Sequence, residues 1–318
     1  MSASSLPEPG RYLAASAGGE IALGAAGSDA GVLGAAAGSR PRGRYRAAAG
    51  RALLGLFLVI AGVVMLLPVV WVVLQSFEDA TQQSALPPVW FPSHLTLASY
   101  RTLFSAAPFV VNIINSIVVT ASVVIGAAIV SVLAAYAFAR LEFRGREVLF
   151  TLFLAALTLP TQVSAVPEFV VVKYLHLLNT QLSLIIPALI QVVGIFLLRQ
   201  HIRTIPTELD DAARIDGAGH LKIIRHVIVP LSWPAISAVM VITGQYIWND
   251  FFWPNLFINA NSRMTAPLAL YNLEAAAGGG PVGAIFAGLT VLCVPCVIVF
   301  IFLQRRLMEG IGYRGISR

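Results

Sequence analysis

Charge is scarce in this sequence. Lys, Arg, Asp and Glu make up 11% of its 318 residues, against about 25% in a soluble domain. With a mean hydropathy of +0.81, that scarcity excludes an ordinary water-soluble globule. Cysteine is nearly absent: the only two, Cys293 and Cys296, form C-V-P-C inside an apolar run. A C-x-x-C pair can be a redox or metal motif. Here no cation or histidine stands nearby in sequence to lower a thiol pKa, and no second pair exists for electron relay, so both read as buried small hydrophobes. Catalytic and nucleotide-binding signatures are missing too. The chain has no Gly-Lys dipeptide, hence no P-loop, and no G-x-S-x-G; its five histidines, His94, His176, His201, His220 and His226, lack H-E-x-x-H or comparable metal spacing. The reading is of a protein that is not an enzyme, with no metal site and no cofactor of its own.

Long apolar runs dominate what is there. Six of them, residues 52–74, 113–139, 148–166, 182–198, 235–258 and 284–303, reach or approach the ~20 helical residues (range ~17–25) that cross a bilayer core. If the first runs from inside to outside, 18 of the 21 Lys and Arg fall in inner segments and only Arg101, Lys173 and Arg263 in outer ones. By the positive-inside rule both termini and the loop around Glu208 are cytoplasmic. The net charge of +6 follows from this bias, and nucleic acid is a poor partner for it. Residues 1–50, Ala/Gly/Ser-rich and closing on R-P-R-G-R-Y-R, read as a disordered cytoplasmic tail before a transmembrane domain over 51–318. No short apolar segment with a cleavage site precedes the first span, so no signal peptide is expected.

Polar residues inside the runs are informative because hydrocarbon penalises them. In G-Q-Y-I-W-N-D-F-F-W-P-N, Gln245 and Asn249 stand one turn apart, near mid-bilayer if the span is 235–258, with Asp250 just outward. Glu168 is the other acid at membrane depth. The third and fourth runs add Thr158, Gln162, Ser164 and Gln191, with Pro160, Pro167 and Pro187 to interrupt regular helix. Such a set suits a hydrated cavity that hydrogen-bonds a polar, uncharged solute, with Gln162, Gln191, Gln245, Asn249 and Asp250 as pathway candidates. The competing reading pairs these groups with one another or with a neighbouring subunit. Ala127, Ser131, Ala135 and Ala139, four apart, form a small-residue stripe that permits close helix packing.

One polar stretch stands apart: E-L-D-D-A-A-R-I-D-G-A-G, residues 208–219. Thr207 is placed to cap a short helix and Asp210 to complete a capping box, Asp210 and Arg214 are spaced to pair on its wet side, and Gly217 to end it in a left-handed conformation. A second short helix is expected from about His220 to Val229, stopping at Pro230. The low bulk of Ala212, Ala213 and Gly217 suits insertion of this elbow into a groove on another protein.

The stretch E-L-D-D-A-A-R-I-D-G-A-G-H-L-K-I-I-R-H-V-I-V-P-L resembles the EAA loop of permease subunits of bacterial ABC importers, whose pattern is E-A-A-x3-G-x9-I-x-L-P. Asp211-Ala212-Ala213 stands in the E-A-A place, Gly217 matches the glycine and Pro230 the proline; Asp211 for Glu, Val227 for Ile and Val229 for Leu are mild departures. L-P-T-Q-V-S-A-V-P-E-F, W-N-D-F-F-W-P and the tail Q-R-R-L-M-E-G-I-G-Y-R-G extend the likeness over roughly residues 50–318, toward carbohydrate permeases similar to the smaller membrane subunit of the maltose transporter. The resemblance implies an all-α integral membrane fold of the type I ABC importer permease, six transmembrane helices with both termini cytoplasmic, its core over about 108–304 and its coupling loop at 206–230. It implies a multi-pass subunit of the bacterial inner membrane that imports a sugar or sugar derivative. The implied partners are a homologous second permease, two subunits that bind the ATP, and an extracytoplasmic sugar-binding protein. Glu208, Asp211, Ala212, Ala213, Gly217 and Pro230 are the implied ATPase-coupling residues. The rival reading is a proton-coupled secondary carrier using Asp250 or Glu168; six spans are few for that class, and no inverted repeat is evident.

Overall fold

A peptide group facing hydrocarbon has no water to bond, so an apolar run in a bilayer closes its hydrogen bonds within a helix. The computed structural model obeys this rule. It describes residues 42–79, 94–276 and 282–312, among which there are helices and turns but no strand. Residues 1–41, most of the expected disordered tail, lie outside the described residues. The first helix, α1 (Arg42–Gln75), begins inside that expected tail, because Arg and Ala after Pro41 are strong helix formers. Contacts divide the chain after Val59, and the packed helices belong to the second unit, Ile60–Arg318.

The remaining helices are α2 (Ala98–Ala106), α3 (Phe109–Arg140), α4 (Arg146–Ala155), α5 (Ala165–Tyr174), α6 (Leu182–Ala188), α7 (Val192–Ile202), α8 (Glu208–Ile215), α9 (His220–Ile223), α10 (Val229–Trp248), α11 (Phe252–Phe257), α12 (Ala266–Ala276) and α13 (Val282–Gly312). Among the described residues, five stretches are long and apolar enough to cross a membrane: Gly50–Gln75, Phe109–Arg140, Leu182–Ile202, His220–Trp248 and Val282–Phe302. A bent pair, Arg146–Thr158 and Thr161–Tyr174, counts as a sixth when the two are taken as one broken span.

Two spans differ from expectation. The third is no straight rod over 148–166: it turns by 102° at Pro160, whose ring holds Leu159 in an extended conformation (φ −83°, ψ 129°). The fifth does not occupy 235–258. It starts at His220 and ends at Trp248, because α9 passes through a wider π-helical turn, Ile224–Ile228, into α10. Pro230 therefore does not stop the second elbow helix. It sits in the first turn of α10, where a missing N–H costs little and the neighbouring π turn accommodates the ring.

Helix α3 is the hub, packing against α7 and α10. Its small-residue stripe makes the seam: Ala127, Ser131 and Ala135 are fully buried. Gly194 of α7 comes so close that an added Cβ would lie 2.8 Å from Val239 of α10 and 3.0 Å from Ser131. One apolar core, around Phe109, Phe257 and Leu268, lies toward the start of α3. A second, around Tyr136, Leu198, Ile223 and Ile228, lies toward its end. There Arg199 donates to both Glu147 oxygens (2.7 and 2.8 Å) and to the Phe138 carbonyl (3.1 Å), with its guanidinium 3.8 Å over the Phe150 ring. Cys293 and Cys296 are free and exposed rather than buried. They sit on a flank of α13 that also exposes Val294, Val297 and Phe300, and a membrane helix can turn apolar side chains to lipid.

Candidate functional site

The elbow between α7 and α10 is a tethered protrusion. At the end of α8 the Gly217 and Ala218 N–H groups donate to the Arg214 and Ala213 carbonyls (both 2.9 Å). Gly217 has φ +78°, which gives the left-handed helix end that glycine adopts without a Cβ clash. The helix start departs from expectation. Thr207 makes no side-chain cap; its carbonyl instead accepts from the Asp210 and Asp211 N–H groups. Asp210 does not pair with Arg214. It is 2% exposed and turned inward, 3.0 Å from the Arg140 Nε at the end of α3, while Arg214 bonds Asp211 (2.9 Å). Inward placement sets the Asp210 charge against that of Arg140, whose side chain is itself buried. Arg140 also donates to the Ile205 carbonyl (2.6 Å), and the Tyr136 hydroxyl shares a 3.0 Å hydrogen bond with His220 Nδ1. The elbow is thus bound to α3 at three points, and its second arm is continuous with the fifth span.

Glu208, Asp211, Ala212, Gly217 and Pro230 lie on the surface, and Ala213 is half-buried against the second core. The space beside Gly217 is open. The elbow also shows two apolar side chains that sequence reasoning passed over: Ile215 is 87% exposed and Leu221 74%. A large apolar residue ending a short helix with four charges in its eight residues was the available signal.

A cavity of 420 Å³ opens where the bent α4–α5 pair, the α6–α7 break, α10 and α11 meet. The breaks that Pro160 and Pro187 introduce leave room there for polar groups. Of the expected pathway residues, Gln191 and Asp250 line it. Gln191 donates to the Ala188 carbonyl (2.9 Å), satisfying a group freed by the break. Gln162, Gln245 and Asn249 are exposed and are not among the lining residues. Because the fifth span ends at Trp248, Gln245 and Asn249 stand at its terminus rather than near its middle, and the Asn249 amide donates to the Gln245 carbonyl (2.8 Å). Glu168, Ser164, Tyr246, Trp253 and Thr265 also line it. Asp250 accepts N–H bonds from Phe252 (3.0 Å) and Trp253 (3.4 Å). Burial nevertheless pushes its carboxyl above the ordinary aspartate range.

Residues 127–312 match the family model described as binding-protein-dependent transport system inner membrane component. The arabinooligosaccharides transport system permease protein AraQ of Halalkalibacterium halodurans is 31% identical over 253 residues, covering 79% of this chain and 90% of that protein. The sn-glycerol-3-phosphate transport system permease protein UgpE of Yersinia pestis bv. Antiqua is 32% identical over 208 residues, 65% of this chain and 74% of its own. Among solved structures, a chain of a bacterial ABC transporter involved in import of the acidic polysaccharide alginate aligns with a TM-score of 0.70 at 23% identity, covering 82% of this chain and 96% of that one.

Proposed function

This chain belongs to the family of binding-protein-dependent transport system inner membrane components, and we propose that it forms half of the path by which an ATP-driven importer takes up a sugar or sugar derivative. It is a multi-pass permease subunit of the inner membrane, not an enzyme, and family membership displaces the proton-coupled carrier. A homologous second permease closes the open side of the cavity. Two cytoplasmic ATP-binding subunits bind and hydrolyse the nucleotide, and an extracytoplasmic sugar-binding protein delivers the solute.

The observation that carries the coupling role is the elbow's attachment: exposed Ile215 and Leu221 at its tip, and the Arg140–Asp210 pair at its base. Seated in a cleft of one ATPase, the tip moves with that subunit when ATP closes the pair. Displacement passes through the continuous α9–α10 rod and through Arg140 into α3. Both helices pack against α7, and α10 supplies Thr243 and Tyr246 to the cavity wall, so motion at the elbow opens or closes the cavity as packed elements switch between two arrangements. The test is a gentle-detergent pull-down of tagged protein from native membranes with mass spectrometry. A second permease and a Walker-motif ATPase are expected; this chain recovered alone and still transporting would overturn the reading.

A further inference from the structure

Helix α3 runs from one polar attachment to another. Among the described residues it is the one membrane-crossing stretch without a proline: Pro68, Pro187, Pro234 and Pro295 lie inside helices of the others, and the bent pair turns at Pro160. Proline is a leading cause of helix kinks, so α3 lacks the feature that softens its neighbours. One end of it, Arg140, pairs with Asp210 of the elbow. The opposite end holds a strap, residues 258–265, that joins α11 to α12.

The strap is bonded through its main chain from end to end. The Phe257 carbonyl accepts from the Asn179 N–H (2.8 Å), and the Asn179 side-chain oxygen accepts from the Asn259 and Ala260 N–H groups (3.2 and 3.0 Å). From α3, Asn112 donates to the Asn261 carbonyl (3.1 Å) and Asn115 to those of Ser262 and Met264 (2.9 and 3.0 Å). The Ser116 hydroxyl accepts from the Ala266 N–H (2.8 Å). Connecting segments are usually the mobile parts of a fold; this one is tied down. Asn115 is 6% exposed, and its oxygen accepts from the Gln181 amide (2.6 Å), so both halves of its side-chain amide are in use. At the start of the strap, α11 supplies Trp253, Pro254 and Phe257 to the cavity wall.

We infer that Asn115 is a positioning residue of the transport cycle. Through the strap it makes the α11 wall of the cavity travel with α3, so that a displacement entering at Arg140 reaches the side of the cavity farthest from the elbow. A buried amide suits this task better than apolar contact. Apolar attraction is non-directional and lets two surfaces slide, whereas two bonds from one amide fix the directions of two carbonyls. Breaking them would leave polar groups unpartnered in a site that excludes water.

This inference rests on the permease reading, so its test separates the two. The intact assembly with its ATP-binding subunits is placed in nanodiscs, with Cys293→Ser and Cys296→Ser to remove the native thiols. Spin labels go on Ser262→Cys in the strap and Leu133→Cys toward the elbow end of α3, both exposed positions. Their separation is read by pulsed electron paramagnetic resonance without nucleotide and after trapping with ATP and vanadate, the trapped nucleotide being assayed in the same sample. With Asn115 present, one narrow distance is expected in both states. Asn115→Asp keeps the oxygen that receives Gln181 but gives up the donor amide; its distance should broaden and shift by at least about 2 Å on trapping, the scale of helix shifts in such transitions. A shift in the protein that retains Asn115 would show the strap moving apart from α3 and overturn the inference, and this measurement decides alone should the variant fold poorly. A variant with the distance unchanged in both states would overturn the role of Asn115. Absence of ATP-binding subunits from the purified assembly would overturn the permease reading itself, and this inference with it.

Discussion

Arg140 and Asp210 meet at 3.0 Å with both side chains buried, joining the end of a membrane-crossing helix to the helix of the elbow. Neither Asp210 oxygen has a hydrogen-bond partner, nor does the Arg140 Nε, so the contact is one of charge in a nearly dry site. Such a pair is strongly asymmetric: removing one partner leaves an uncompensated buried charge, at about 3–5 kcal/mol, whereas replacing both by apolar residues of similar size is often nearly neutral. Asp210→Ala and Arg140→Ala should each lower the thermal midpoint of the purified subunit, while the double variant Arg140→Met, Asp210→Leu should recover most of the loss. If the pair also transmits force, the double variant will hydrolyse ATP in the assembly yet import poorly. Uptake restored along with stability would make the pair purely structural.

Gly217 tests the elbow's shape independently of its bulk. At φ +78°, with open space where a side chain would go, the penalty for substitution comes from the backbone alone. A β-branched residue should cost about 1–2 kcal/mol locally, and asparagine, which tolerates the left-handed region, less. Gly217→Val should therefore weaken ATPase co-purification more than Gly217→Asn. Equal retention of the ATPase by both variants would show that the turn is not part of the docking surface.

Ile215 and Leu221 make the complementary test, because they contribute exposed apolar surface to the elbow and little to the fold. Exposed substitutions usually change stability by less than about 0.5 kcal/mol. Ile215→Glu and Leu221→Glu should leave the melting temperature of the isolated subunit almost unchanged yet reduce recovery of the ATPase in the pull-down by at least about tenfold, as expected of an apolar anchor in an interface. Undiminished recovery with both changes combined would place the contact elsewhere.

Legibility in the sequence tracks the range of the interactions involved. The apolar helices and the Gly217 helix end depend on local hydropathy and backbone preference, and these are legible. The extent of the fifth span is not. A proline that reads as a terminator at 230 is a first-turn proline once a π turn precedes it, and the span moves inward, carrying Gln245 and Asn249 to its end. Asp210 misleads for a related reason. Its spacing to Arg214 matches a surface pair, but Arg140, seventy positions earlier, is brought beside it only when α3 packs against the neighbouring helices.

Asp250 gives a pH dependence whose sign is set by its surroundings. Burial raises its carboxyl pKa, outweighing the N–H bonds from Trp253 and Phe252. An acid whose pKa is higher folded than unfolded takes up protons on folding, so its contribution to stability is full at acid pH and is lost as pH rises through the folded-state value. Asp250→Asn is neutral throughout and keeps the oxygen that accepts those two N–H bonds. As pH rises from the ordinary aspartate range toward neutrality, the melting temperature of the wild type should therefore fall relative to that of Asp250→Asn, with the variant the more stable at the neutral end. Parallel melting curves of the two proteins across that range would mean that Asp250 stays solvated and that the cavity wall does not set its charge.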